Sequence, residues 1–180
     1  SAGSSSPYSL QMYPSVTTEN ADQKYAAFGM HSFDNGGSII GFTIQLKFNR
    51  TATTNIGTFN LGLLNLATNV SDNNLVSLNS SFRLSFATSA SPNLTLSMAG
   101  GTGTTNFPTI SFGDVLNIEF YVNKSAGQTQ FTRKSIIETL PAGQAFIFIN
   151  DQKTTVTSIT PGTFNSFYLS GHNGASGTNT

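Results

Sequence analysis

The sequence predicts an all-β chain folded as a two-sheet antiparallel β-sandwich, and three observations predict it. Apolar and polar residues alternate with a period of two along many short segments, and helical periodicity is missing. Clusters of Gly, Pro, Asn and Asp separate these segments at roughly 8–12 residue spacing, as in sandwiches and barrels. The composition is that of neither a long-helix protein nor a disordered one. Charged residues make up only 9%, whereas there are 15 Phe, and Ser, Thr and Asn together form roughly a third of the chain.

Ile39 to Phe48 is the clearest strand. Ile40, Phe42, Ile44, Leu46 and Phe48 fall on one face, and Gly41, Thr43, Gln45 and Lys47 on the other. Val115 to Asn123 repeats the pattern, with Leu116, Ile118, Phe120 and Val122 opposed to Asn117, Glu119, Tyr121 and Asn123. One packed and one solvated face is the habit of antiparallel sheets. Further strands are expected at 58–66, 81–88, 94–98, 109–112, 128–133, 145–150, 154–159 and 164–170. Asp34-Asn35-Gly36-Gly37, Ser91-Pro92-Asn93, Ala126-Gly127 and Pro161-Gly162 carry turn chemistry between them. Asn150-Asp151-Gln152-Lys153 reads as a tight hairpin joining 145–150 to 154–159. A short helix or turn is expected around Lys134 to Leu140, ended by Pro141. Residues 1–7 read as a flexible leader, residues 8–180 as a single β-sandwich domain, and Gly171 to Thr180 as a loop or tail.

A chain of 180 residues can bury a core without disulfides or a structural metal. Its formal net charge is zero, with eight basic and eight acidic residues scattered along the chain. It therefore offers no basic stripe for nucleic acid and none for an anionic membrane surface. No apolar run reaches bilayer-spanning length, so membrane insertion is not expected. The absence of Cys removes a thiol nucleophile and any thiolate metal site. It fits a cytosolic protein or a bacterial extracellular one better than a disulfide-stapled ectodomain. The hydroxyl-rich composition and the start at Ser-Ala-Gly-Ser-Ser-Ser, as if a leader had been trimmed, make secretion or the cell surface the expected location.

From Leu116 the chain reads LNIEFYVNKSAGQTQF and later PAGQAFIFINDQ. A strand ends in an aromatic and Asn, a Gly-containing turn follows, and a later strand ends in a polar hairpin. This rhythm resembles the laminin-G-like, concanavalin-A-like jelly rolls of bacterial secreted and surface proteins. The resemblance implies a jelly roll that binds carbohydrate, in some members with a bound calcium, or that serves a structural role. It also implies one more closing strand beyond Thr180.

Enzymatic chemistry is not expected. Glycoside hydrolysis needs two carboxylates about 5–10 Å apart, and Glu119 has no second carboxylate at alternating spacing. The two His residues, His31 and His172, sit beside Gly-rich or Ser-rich stretches, with nothing to poise either for a triad. Carbohydrate recognition combines aromatic faces with amides and carboxylates. There is no Trp, so the expected ligand-binding set is Asn117, Glu119 and Tyr121 with Gln45 and Lys47, and Tyr168 as a further aromatic. Arg83 and Phe131 are candidate neighbours. Both tyrosines equally suit half-buried strand positions. No cofactor is required. A structural calcium would take Asp34 and Asn35 as ligands, with Asp72-Asn73-Asn74 and Asn150-Asp151 behind them, although each loop also reads as an Asx turn. Five Asn-x-Ser/Thr sequons, at Asn49, Asn69, Asn79, Asn93 and Asn123, are what chance yields in so Asn-, Ser- and Thr-rich a chain.

Two functions compete. The first is a non-catalytic extracellular carbohydrate-binding module, with glycan as partner. The second is a structural cell-surface or filament subunit, adhesin- or pilus-like, assembled with other surface proteins by strand addition. In that case Tyr8 to Tyr13, which alternates behind the leader, would supply the donor strand.

Overall fold

The computed structural model describes residues 24–31, 39–48, 57–64, 82–88, 92–99, 101–103, 107–159 and 166–173. Every regular element among them is a strand: β1 (Lys24–His31), β2 (Ile39–Lys47), β3 (Gly57–Leu64), β4 (Phe82–Thr88), β5 (Asn93–Ala99), β6 (Ile110–Ser111), β7 (Val115–Asn123), β8 (Thr129–Arg133), β9 (Ile136–Leu140), β10 (Ala145–Ile149), β11 (Gln152–Val156) and β12 (Ser166–Asn173). All neighbouring strands pair antiparallel. They form a six-stranded sheet in the order β1-β12-β3-β4-β5-β6, a four-stranded sheet in the order β11-β10-β7-β2, and a two-stranded sheet, β8-β9.

Alternation in the sequence sets which residues meet. Ile40, Phe42, Ile44 and Leu46 on β2 stand opposite Val122, Phe120, Ile118 and Leu116 on β7. They pack in one apolar cluster with Leu61, Leu63, Leu84, Phe86 and Leu94 from the six-stranded sheet. Aromatic rings link the two larger sheets. Phe42 stacks on Phe120 at 4.8 Å between centroids and on Phe167 of β12 at 5.8 Å. Phe48, just past β2, lies 5.0 Å from Phe59 and 4.9 Å from Phe86. Burying each such ring contributes about 1.5–3 kcal/mol.

A second apolar cluster lies on the other face of the four-stranded sheet. Leu140, Phe146 and Phe148 are buried there, with Ile39, Tyr121 and Phe131 packed against them. The β8-β9 hairpin supplies Phe131 and Leu140, so it covers this end of the sheet. As a result β10 is buried at all five positions, on both faces.

Several expectations need correction. The Lys134 to Leu140 segment is not helical: Lys134 and Ser135 form a two-residue turn and Ile136–Leu140 is strand β9. Both turn residues have positive φ, 46° and 67°, which matches the twist of a tight hairpin. The expected hairpin after Ile149 is present but tighter, with only Asn150 and Asp151 in its turn, at φ 46° and 72°. Ala145 therefore pairs with Val156, and β11 runs 152–156 rather than 154–159. At its end β12 continues through Gly171, His172 and Asn173, residues expected in the tail. Strand β1 was not anticipated, because its Ala-Ala-Phe-Gly stretch dilutes the alternation. The leader and the Tyr8 to Tyr13 segment lie outside the described residues.

A bridge between Thr102, after β5, and Thr157, after β11, ties the two larger sheets together, with backbone N–H groups donated in both directions at 2.9 and 2.6 Å. Gly101 makes this approach feasible. A Cβ there would lie 2.5 Å from Val156 Cγ1, and a β-branched side chain cannot swing aside. Gly101→Ala should therefore destabilise the fold by about 1–3 kcal/mol, read as a lowered midpoint in urea unfolding. An unchanged midpoint would show that this junction is loose.

Candidate functional site

The outward face of the β2-β7 pair gathers five of the six expected ligand-binding residues. Gln45 stands opposite Asn117, Thr43 opposite Glu119, Gly41 opposite Tyr121 and Lys47 opposite Val115. Gln45 Nε2 donates to Asn117 Oδ1 at 2.9 Å. Asn150, in the β10-β11 turn, fixes the Asn117 backbone from the other side. Its N–H donates to Asn117 O at 3.0 Å, its Oδ1 accepts from Asn117 N–H at 2.8 Å, and its Nδ2 donates to Val115 O at 3.2 Å. Tyr168 is not part of this group. It lies on β12 in the six-stranded sheet, between Gly29 and Gly62, and Arg83 lies on the same sheet, opposite Gly62. Asp34 and Asn35 lie outside the described residues.

Tyr121 and Glu119 are engaged by the chain itself. Phe131 of the hairpin stacks on the Tyr121 ring at 4.0 Å, and Phe148 meets it edge-on at 5.9 Å. Beside it is Gly41, where a Cβ would come within 3.2 Å of Tyr121 Cδ1, so the missing side chain lets the ring lie across β2. The ring is a packed support rather than an open platform. Its hydroxyl donates to Glu119 Oε2 at 2.9 Å. Arg133 holds the same carboxylate in a two-point grip, Nε to Oε2 at 3.0 Å and an Nη to Oε1 at 2.6 Å. The guanidinium also lies 3.9 Å above the Phe148 ring and donates to Asp151. Lys134 Nζ completes the cluster on Asp151 at 2.6 and 2.8 Å. On the neighbouring strand, Lys153 Nζ sits 3.6 Å over Phe146 and donates to Glu138 at 2.6 Å.

These contacts settle the protonation of the cluster. The hydrogen bond from Arg133 holds the Glu119 carboxyl below its ordinary range, against the opposing effect of burial. Burial, then the bond to Glu119, pushes the Tyr121 hydroxyl up to about 12. Lys134 and then Arg133 hold Asp151 low. Glu119 is thus a fixed anion with its oxygens occupied, which suits it to holding the hairpin and not to donating a proton. Asp151, in a loop considered for calcium, faces two cations of its own chain. Among the described residues no three His, Asp or Glu side chains gather as a metal site. His31 and His172 lie on strands, not in loops; His172 pairs with Tyr25 at the far end of β1 from His31, about 20 Å away at strand rise.

What remains open on this face is the polar strip Thr43, Gln45, Lys47 and Asn117, with Val115 opposite Lys47, all exposed. Alternation identified it. Of the two expected neighbours, Phe131 does lie against Tyr121, whereas Arg83 lies on the other sheet; alternation could not reveal Arg133 or Asn150 as partners, since they come from distant turns and strands. One signal was readable: the uninterrupted run Ala-Phe-Ile-Phe-Ile of β10 marks a strand covered on both faces.

The cluster should show in the pH dependence of stability. Glu119 titrates lower when folded than its ordinary 4.5, so its contribution is present above that pH and is lost as pH falls through the folded value. Tyr121 titrates higher when folded, so its contribution is intact below pH 10 and lost as pH rises towards about 12. Glu119→Gln should lower stability at pH 7 by on the order of 2 kcal/mol and flatten the acid limb. Equal acid slopes for the two proteins in urea unfolding would remove Glu119 from this role.

Compared with known proteins, the chain matches no family model, no curated protein and no solved structure.

Proposed function

We propose that the chain is a non-catalytic extracellular binding module, a two-sheet sandwich of jelly-roll type that takes glycan on the strip formed by Thr43, Gln45, Lys47 and Asn117. The observation that carries this reading is the Gln45–Asn117 pair, fixed on the outward sheet face, with the Asn117 backbone braced by Asn150. Each amide offers both donors and acceptors, and sugar hydroxyls need both. Holding them in place before a ligand arrives removes part of the entropic cost of binding. Thr43 adds a hydroxyl and Lys47 a cation at the end of the strip. Tyr121 and Glu119, further along the same face, support the hairpin that borders the strip. The composition, hydroxyl-rich and free of Cys, supports placement outside the cell or on its surface.

A second reading rests on a separate observation. Strand β2, nine residues long, forms one edge of the four-stranded sheet, with no further strand beside it among the described residues. An open edge accepts an added strand, as a structural subunit would require.

A glycan array tests the first reading. Gln45→Ala and Asn117→Ala should abolish binding while leaving the melting temperature within 1–2 °C, about the effect of a surface substitution. Tyr121→Ala should instead cost about 3 kcal/mol of stability. Absence of any glycan ligand, or binding indifferent to both amide substitutions, would sink it. Size-exclusion chromatography across concentrations, with and without residues 1–14, tests the second: self-association abolished by the truncation favours assembly.

A further inference from the structure

The sequon Asn123-Lys124-Ser125 closes β7 and opens the turn into the β8-β9 hairpin. Asn123 is buried, 3% exposed, and its side-chain amide is fully used. Nδ2 donates to Gly127 O at 2.8 Å and to Leu140 O at 2.9 Å. Oδ1 accepts from Ser125 N–H at 2.8 Å, with Ser125 Oγ 2.7 Å away. The Asn123 backbone N–H donates to Gln144 O at 3.0 Å. One side chain therefore joins the start of the hairpin, at Gly127, to its end, at Leu140.

We infer that this sequon is closed to N-glycosylation by the fold, and that the folded protein requires Asn123 unmodified. Glycosyl transfer from a lipid-linked donor forms a bond from Nδ2 to the sugar C1, breaks the C1–O bond to the lipid pyrophosphate, which departs as the leaving group, and releases one Nδ2 proton. Both Nδ2 hydrogens are engaged on carbonyls, so the modified amide could keep only one of these bonds. The sugar would also have to occupy the space filled by the Gly127 and Leu140 backbone. A chain glycosylated here before folding could not bring Leu140 back beside Asn123. The hairpin would then be lost from the face it covers, exposing Phe146, Phe148 and Tyr121. The sequon works here as an Asx-type clamp, its Ser125 serving Asn123 Oδ1. Maturation of the chain therefore proceeds where no transferase reaches Asn123 before the hairpin forms.

Two presentations of the full chain to an oligosaccharyltransferase test this. In cell-free translation with microsomes the enzyme meets the chain unfolded; solubilised enzyme with its lipid-linked donor meets the purified, folded chain. Peptide mass mapping reads occupancy at Asn123. Expected is occupancy in the first case only, with the glycosylated chain failing to show the cooperative melting of the unmodified protein. Occupancy on the folded chain would overturn the inference. So would a glycosylated chain with an unchanged melting temperature. Absence of occupancy in both would also overturn it, since the fold would then not be what closes the site.

Discussion

Phe146 and Phe148 point away from the main core, and the two-point grip of Arg133 on Glu119 keeps them covered. Adjacent residues on a strand face opposite ways, so a strand reading Ala-Phe-Ile-Phe-Ile must present large apolar groups on both sides. Against water the two outward Phe rings would forgo several kcal/mol of burial. The β8-β9 hairpin supplies the cover, and its own two strands are too few to be stable alone. It depends on its attachments: the clamp of Asn123 at its base, the Phe131–Tyr121 stack in its middle and the Arg133–Glu119 pair towards its tip. The ion pair is mostly shielded, with side chains 10% and 16% exposed, so it retains strength that a surface pair would lose to solvent. Beyond it, Ile136 and Ile137 at the tip stay exposed.

This arrangement explains which parts of the molecule were legible in the sequence. Strands β2 and β7 alternate cleanly because one face meets the core and the other, along most of its length, meets water. Their bounds and pairing faces follow from that contrast alone. Alternation reports that Tyr121 leaves the main core. It does not report how a neighbour lies on it, so Phe131 could be named as a candidate neighbour but not as the ring that covers Tyr121. The Arg133–Glu119 pair joins residues on different strands with no fixed spacing, and nothing local encodes it. The Lys134–Leu140 segment lacked a period-two signal because Ile136 and Ile137 are both exposed at the hairpin end, and its charged and polar residues suggested a helical turn. Strand β1 was hidden by small residues.

The same geometry separates support from surface. Four of the charged groups, Glu119, Arg133, Lys134 and Asp151, neutralise one another around the hairpin, and Lys153 pairs with Glu138. The face left to a partner is accordingly one of amides and a hydroxyl, with Lys47 and the apolar Val115 at its end. Such a surface recognises by the direction of its hydrogen bonds more than by charge.

Strand β12 lies between β1 and β3 in the six-stranded sheet, although it is the last of the described strands to leave the ribosome. Until residue 173 has been synthesised, β1 has no partner there and β3 has one free side. The nascent chain must therefore carry these unsatisfied backbone edges until residue 173 has emerged. Closing the sheet joins segments more than a hundred residues apart in sequence, the kind of contact that makes folding slow and leaves intermediates prone to aggregate. Shielding of those early strands, by a chaperone or by rapid export, is thus a demand that the topology places on the cell producing the protein.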